Sequence, residues 1–380
     1  SMKKIIFRKL LYDYMSFFSI ALISTSVIIW VFQAVNFLDI MIEDGRDYLV
    51  YVNYSLLNFP KIITKLIPFV LFFSLFYVTI KYETNNELLI FWNFGVNKIE
   101  LVNFIFKFSL FLLFIQILLS SIIVPKSQNQ ARSFLRTSDI NYFGNFIKPQ
   151  KFNDTIKGVT IFSESKDEKN LYNLYIKREM GNNDFQITYA RKGVFKEIGN
   201  MPILVLFDGE TITENENEIT KFSFSKSDFS LKNLKANTTT YKKTQEITTT
   251  NLIKCILGLY KIKINDKYQK IDNIENCLPQ NLNNIFKEIY KRLIIPLYIP
   301  LLSIIPFLLL IVSKENLNYS KFKVFTFFTG LLIIILSETT IRFVSKILFN
   351  NIGIALIPLL TLIIIYSVLI FKFKFKFRKK

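Results

Sequence analysis

YETNNELLIFWNFGVNKIEL, residues 82–101, lies between two hydrophobic runs, residues 62–80 and 102–124. From Asn86 onward Leu88, Leu89, Phe91, Trp92 and Phe94 crowd together, while Glu83, Glu87 and Asn93 stay polar. Gly95 stands where a helix commonly ends in a left-handed glycine. The pattern predicts a short helix within 83–95, lying at a membrane face with Glu87 inside its apolar run. A helix tied this closely to two hydrophobic runs is able to carry a push from a soluble partner into a bundle.

The remainder of the chain supplies such a bundle. Of 380 residues, 51% are hydrophobic, more than one soluble core requires, and Phe, Ile and Leu fall in long blocks. Spans are predicted over 11–32, 56–80, 102–124, 293–312, 324–341 and 352–371. Ser1, ahead of Met2, reads as the remnant of a cleaved tag; no small-residue cleavage site follows, so the first span is expected to stay in the protein. The formal charge of +19 would point to nucleic acid in a soluble chain, but here it clusters beside the spans, and no nucleic-acid partner is expected.

Charge placement sets an orientation. Lys3, Lys4, Arg8 and Lys9 before the first span, Lys314, Lys321 and Lys323 before the fifth, and the basic tail Lys372–Lys380 all fall on one side, the cytoplasmic one. Residues 36–53, with Asp39, Glu43, Asp44 and Asp47 against Arg46, fall on the other side. So does the polar region 126–284. The domains expected are therefore 2–125 (spans one to three), 126–284 (an outer β-domain with a helical connector) and 285–380 (spans four to six). Within the polar region, 155–162, 171–177, 185–190, 202–207 and 221–229 alternate apolar and polar residues, predicting an antiparallel sandwich or jelly roll. Phe222 and Phe224 share one face there; from 251 to 259 and again from 282 to 293 the period turns helical.

The sequence lacks GxxxxGK[ST], GxGxxG, HExxH and paired CxxC, and it contains no histidine. These absences remove P-loop hydrolysis, the commonest metal ligand and histidine-based triads, so neither an enzyme nor a metal site is expected. Cys255 and Cys277 lie in the polar region; a disulfide is allowed there, but two unpaired thiols are the simpler reading. Lys61 and Lys65 share a helix face at the outer start of span two, as do Glu338, Arg342 and Lys346 at the outer end of span five. These cations read either as snorkelling side chains or as contacts for the phosphates of an anionic amphiphile.

Three spans, an inserted β-domain and three more spans resemble the LptF/LptG permeases of the lipopolysaccharide exporter. Residues 82–101 are similar to a family segment through Glu87, Leu88, Gly95, Val96 and Leu101, with Trp92 and Asn93 replacing its small residue. KEIYKRLIIPL (287–297) resembles the family's entry into span four through Glu288, Lys291, Arg292 and Pro296. FNDTIKGVTIF (152–162) resembles the first strands of its β-domain, and QAVNFLDIMIEDGRD (33–47) leans toward the LptF member of the pair. The resemblance implies an inner-membrane permease paired with its paralogue, LptG or LptF, over a dimer of the cytoplasmic ATPase LptB, which binds the ATP and Mg; this chain then needs no cofactor. Glu87, Leu88, Phe91 and Gly95 would form the coupling element on that ATPase. Lipopolysaccharide would enter between span one of one permease and span five of the other, near Lys61, Lys65, Arg342 and Lys346, and pass through the β-domain to LptC and the periplasmic LptA bridge. A permease relaying force without moving lipid, and a membrane-anchored periplasmic binding module, are the rival readings; the first usually has four spans, and the second leaves the Glu87 helix without a role.

Overall fold

Six helices of the computed structural model are long and apolar enough to cross a membrane: Met2–Asn36, Tyr48–Thr84, Lys98–Leu135, Pro279–Ile311, Tyr319–Phe343 and Leu348–Lys374, spans one to six below. The structure describes residues 2–38, 48–137, 147–156, 158–167, 170–181, 184–198, 201–215, 218–230, 242–264 and 274–375. The acidic residues Asp39, Glu43, Asp44 and Asp47 and the tail cations Lys376, Arg378, Lys379 and Lys380 lie outside them. So does much of the 33–47 motif.

The chain separates into two compact units, one of 1–31, 58–129 and 241–380, the other of 32–57 and 130–240. The connector that follows the strands therefore clusters with the helices. Span four is the centre of the helical unit. Its most apolar stretch is 83% buried, against 11% for the corresponding stretches of spans one and six. Lipid tails are as apolar as leucine, so close contact between spans must come from fit and hydrogen bonds. Gly330 of span five supplies fit: a Cβ there would lie 2.0 Å from Cζ of the fully buried Phe72 of span two. Hydrogen bonds supply the rest: Tyr14 with Thr79 joins spans one and two at 2.7 Å, Tyr290 donates to Thr340 across spans four and five at 3.1 Å, and Tyr366 donates to Asn103 across spans six and three at 2.6 Å.

Proline shapes the spans. A proline has no N–H for the carbonyl four residues before it, and such a carbonyl is costly in lipid unless another donor reaches it. Pro68 leaves the carbonyl of Thr64, and Gln116 Nε2 from span three donates to it at 2.8 Å. Pro125 leaves that of Ser121, and Thr249 Oγ1 donates at 2.9 Å. Pro296 leaves that of Arg292, and Ser120 Oγ donates at 2.9 Å. The local ladder also adapts, through a π turn at Leu119–Ile123 and, in span four, a π turn at Tyr290–Ile294 followed by a 3-10 turn at Ile295–Leu297. Pro125, expected to close span three, thus sits at the start of a continuing polar helix, Val124–Thr137. The first helical segment of span two, Tyr48–Leu57, begins where the sequence reading placed loop.

Among the described residues the other unit contains a six-stranded antiparallel sheet in the order β1 to β6: Phe152–Ile156, Val159–Asp167, Asn170–Gly181, Asp184–Ile198, Met201–Asn215 and Glu218–Ser230. Gly158, with φ of +78°, splits the expected strand 155–162 into a hairpin of β1 and β2. An all-β insertion between the helices is as expected; its connectivity among the described strands is a meander, without the crossing connections of a jelly roll. Ile161, Leu171, Leu174, Ala190, Leu204 and Leu206 form its core, joined by the half-buried Phe224. Phe222, two residues before Phe224, is 68% exposed beyond that core.

The cysteines are paired, against the simpler sequence reading: Cys255 and Cys277 form a disulfide, with Cα atoms 5.8 Å apart. Sequence separation alone does not reveal this, because the connector must fold back before the thiols meet.

Two measurements follow from this architecture. Gln116→Leu strands the Thr64 carbonyl and should cost about 1–3 kcal/mol in detergent unfolding, and adding Pro68→Ala, which restores a backbone donor, should recover most of that loss. In non-reducing conditions a maleimide should label neither Cys255 nor Cys277 of the membrane-embedded chain, and both after reduction.

Candidate functional site

The short helix between spans two and three forms as Glu87–Asn93 and is held at both ends by local geometry. Asn86 turns the chain with φ of 59°, a left-handed conformation that asparagine tolerates better than most residues. At the other end Gly95, with φ of +71°, lets its own N–H reach Trp92 O at 3.0 Å and the Val96 N–H reach Phe91 O at 2.9 Å. This is a Schellman closure, and the apolar pair that accompanies one is present in buried Val96 and Phe91. Asn97 then begins span three with a capping box to Glu100.

The helix has two unlike sides. Leu88 and Phe91 point into the bundle, 5% and 2% exposed, and the Phe91 ring meets Phe7 of span one and Tyr82 of span two. Burying two such side chains away from water contributes about 1.5–3 kcal/mol each. Leu89, Ile90 and Phe94 face away, 53%, 49% and 42% exposed. Glu87 is the first residue of the helix, half-buried, and its carboxylate accepts from Asn85 Nδ2 at 3.2 Å. The expectation of a carboxylate in mid-run is therefore corrected: a negative charge at a helix N-terminus has a local electrostatic reason.

Polar latches from four spans surround this helix. Lys3 of span one donates to Gly95 O at 3.0 Å and pairs with Glu100 at 3.5 Å. Lys98 of span three donates to Leu310 O of span four at 2.7 Å and lies over the rings of Trp92 and Phe373. Lys314 donates to Thr84 O at 2.9 Å and Asn86 Oδ1 at 3.1 Å, and Tyr319 of span five donates to Glu83 at 2.7 Å. Tyr82 donates to Asp13 of span one. The sequence reading used Lys3 and Lys314 only as topology markers and did not single out Tyr319 or Lys98. Their signal is a polar side chain at the edge of an apolar run, which many residues share.

The expected outer cations do not form one group. Lys61 and Lys65 are exposed on span two. Lys61 feels the charges of Lys65, Lys243, Lys291 and Glu288, which ties it to the connector and the start of span four. Arg342 is exposed near the end of span five, but Lys346 lies beyond that helix, which stops at Phe343, so the four-residue spacing does not put the two on one helix face. Glu338 and Arg342 form no ion pair among the described residues. Arg292, by contrast, is 2% exposed and fully engaged. Its Nε donates to Glu288 at 3.0 Å, Nη1 to Ile247 O at 2.8 Å and Thr249 Oγ1 at 3.0 Å, and Nη2 to Gln245 O at 3.0 Å. One guanidinium thus fastens the connector to the head of span four.

A family model described as the lipopolysaccharide export system permease LptF/LptG matches residues 8–372. A protein of Rickettsia prowazekii (strain Madrid E) described as the uncharacterized protein RP871 is 26% identical over 187 residues, 49% of this chain. The chain spans about half the length of that relative, 52%.

Replacing Arg292 by Met keeps the reach of the side chain and removes all its donors. Glu288 and the connector carbonyls would then be left without a partner, and thermal unfolding in detergent should report a loss of about 3–5 kcal/mol.

Proposed function

Because the chain belongs to the LptF/LptG family of lipopolysaccharide export permeases, we propose that it is one of two paired permease subunits through which a separate ATPase drives lipopolysaccharide out of the inner membrane. Family membership and six apolar helices make it a multi-pass inner-membrane protein. In this reading its N- and C-termini face the cytoplasm and its six-stranded sheet, a platform for departing lipid, faces the periplasm, as the basic flanks favour. LptB supplies ATP hydrolysis, the paralogue LptG or LptF completes the pair, and LptC and LptA continue the route. The 33–47 stretch favours the LptF role.

The observation that carries the mechanism is the two-sided short helix. Leu88 and Phe91 anchor it in the bundle, so they transmit force and do not touch the ATPase; Gly95 closes the helix. Contact with the ATPase falls to Leu89, Ile90 and Phe94, with Glu87 at the rim. Because Lys3, Lys98, Lys314 and Tyr319 latch the surroundings to spans one, three, four and five, displacement of the helix would move several spans together. Spans one and five expose apolar faces through residues such as Ile20, Phe32, Phe325 and Phe328. Those faces suit the lateral lipid gate that the family arrangement calls for, with Arg342 and Lys346 at the edge of span five.

The test is co-purification. The chain co-expressed with a paralogous permease and the ATPase should yield a stoichiometric complex, and Ile90→Asp should reduce ATPase recovery about tenfold or more, as loss of a buried interface anchor does. Glu87→Ala should weaken recovery less. Full recovery with Ile90→Asp, in a chain whose unfolding is unchanged, would remove the docking role.

A further inference from the structure

At the head of span four the connector and the helix Leu282–Ile289 enclose a cleft of about 450 Å³. Its lining includes Lys243, Lys287, Lys291, Asn281 and Asn284. Among the described residues the only carboxylate in the lining is Glu288, and Arg292 already holds it through Nε and Nη2, both at 3.0 Å. The other acids nearby are also occupied. Glu275 pairs with Lys242 at 3.5 Å, and buried Glu246 accepts from the Lys243 backbone N–H at 3.3 Å. Among the described residues, the ammonium groups of Lys243, Lys287 and Lys291 take part in no ion pair or hydrogen bond, and Lys61 adds a fourth cation close enough to feel the charges of Lys243 and Lys291.

The three lysines lining this polar cleft, with the neighbouring carboxylates among the described residues engaged, repel one another unless an anion enters. The Asn281 and Asn284 side chains are fixed by bonds to Thr244, at 3.1 Å, and to Asn281 Oδ1, at 2.8 Å, so the cleft has a built wall. Lys291 and Arg292 occupy the π turn just ahead of the apolar run 293–312, the place along a span where basic side chains meet headgroups. We propose that this cleft binds the phosphate of a lipid headgroup, held by Lys243, Lys287 and Lys291. A phosphate offers several acceptor oxygens to three flexible ammonium donors, a match that a neutral headgroup does not provide. The site is distinct from the faces of spans one and five, and it rests on the permease reading only in placing the chain in a membrane. A lipid seated there would brace the connector against span four beside the Arg292 clasp, so occupancy would also stabilise the Cys255–Cys277 segment.

Native mass spectrometry of the full chain in detergent, with phosphatidylglycerol, phosphatidylcholine, lipopolysaccharide or inorganic phosphate added separately, tests this without any ATPase, so its outcome is independent of the docking role. The chain should retain phosphatidylglycerol over phosphatidylcholine. Lys243→Gln/Lys287→Gln/Lys291→Gln should lower that retention on the order of a hundredfold, whereas Lys287→Arg/Lys291→Arg should keep it. Loss confined to lipopolysaccharide would assign the phosphate to the cargo, and competition by inorganic phosphate would show that phosphate itself is the group bound. Binding of only inorganic phosphate, equal retention of every lipid by the triple variant, or an equal loss on replacing Lys177, Lys221 and Lys226 of the sheet with Gln, would overturn the proposal.

Discussion

Inside a bilayer a backbone carbonyl without a hydrogen bond has no water to turn to, and this constraint organises the helical unit. Pro68, Pro125 and Pro296 each withhold an N–H from a carbonyl one turn earlier. Gln116 and Ser120 of span three and Thr249 of the connector provide the replacements, each reaching a carbonyl distant in sequence. The prolines bend the spans and also dictate which neighbour must stand beside each bend. Thr249 belongs to the connector and is itself held by Arg292, so the same requirement that shapes span three draws the connector onto span four.

The bundle is consequently cross-linked by polar groups at its ends and by fit in its middle. Phe72 occupies the space that Gly330 leaves open, and span four is enclosed by the others. At one end the short helix Glu87–Asn93 is latched by Lys3, Lys98, Lys314 and Tyr319; at the other, Arg292 gathers three connector residues and Glu288. Between these two latched ends runs span four, the most deeply buried of the six.

Much of this was legible as pattern. Long apolar runs gave the spans because the bilayer imposes a length and a composition on any segment that crosses it. Gly95 and the crowding of apolar residues after Asn86 gave the short helix, and strict alternation gave strands. Where the reading failed, the missing information was a partner. Leu88 and Leu89 are identical in sequence, yet one is buried and the other exposed, since only the tilt of the helix against spans one and two separates them. Pro125 seemed to end span three because its lost bond was visible, while the donors that let the helix continue lie elsewhere in the chain. Lys346 kept its four-residue spacing from Arg342 while the helix beneath it stopped.

By itself, then, the sequence determined that the described residues hold six helices long and apolar enough to cross a membrane, that a β-rich insertion interrupts them, and that one short amphipathic helix joins spans two and three. These are consequences of local composition, period and turn chemistry, which act over a few residues. The tertiary structure alone decided that Cys255 meets Cys277, that Arg292 clasps the connector, and that Lys243, Lys287 and Lys291 line one cleft. Those outcomes depend on which distant groups arrive at one place. Hydrogen bonds, disulfides and charge pairs act over a few ångströms, and separation along the chain does not encode them.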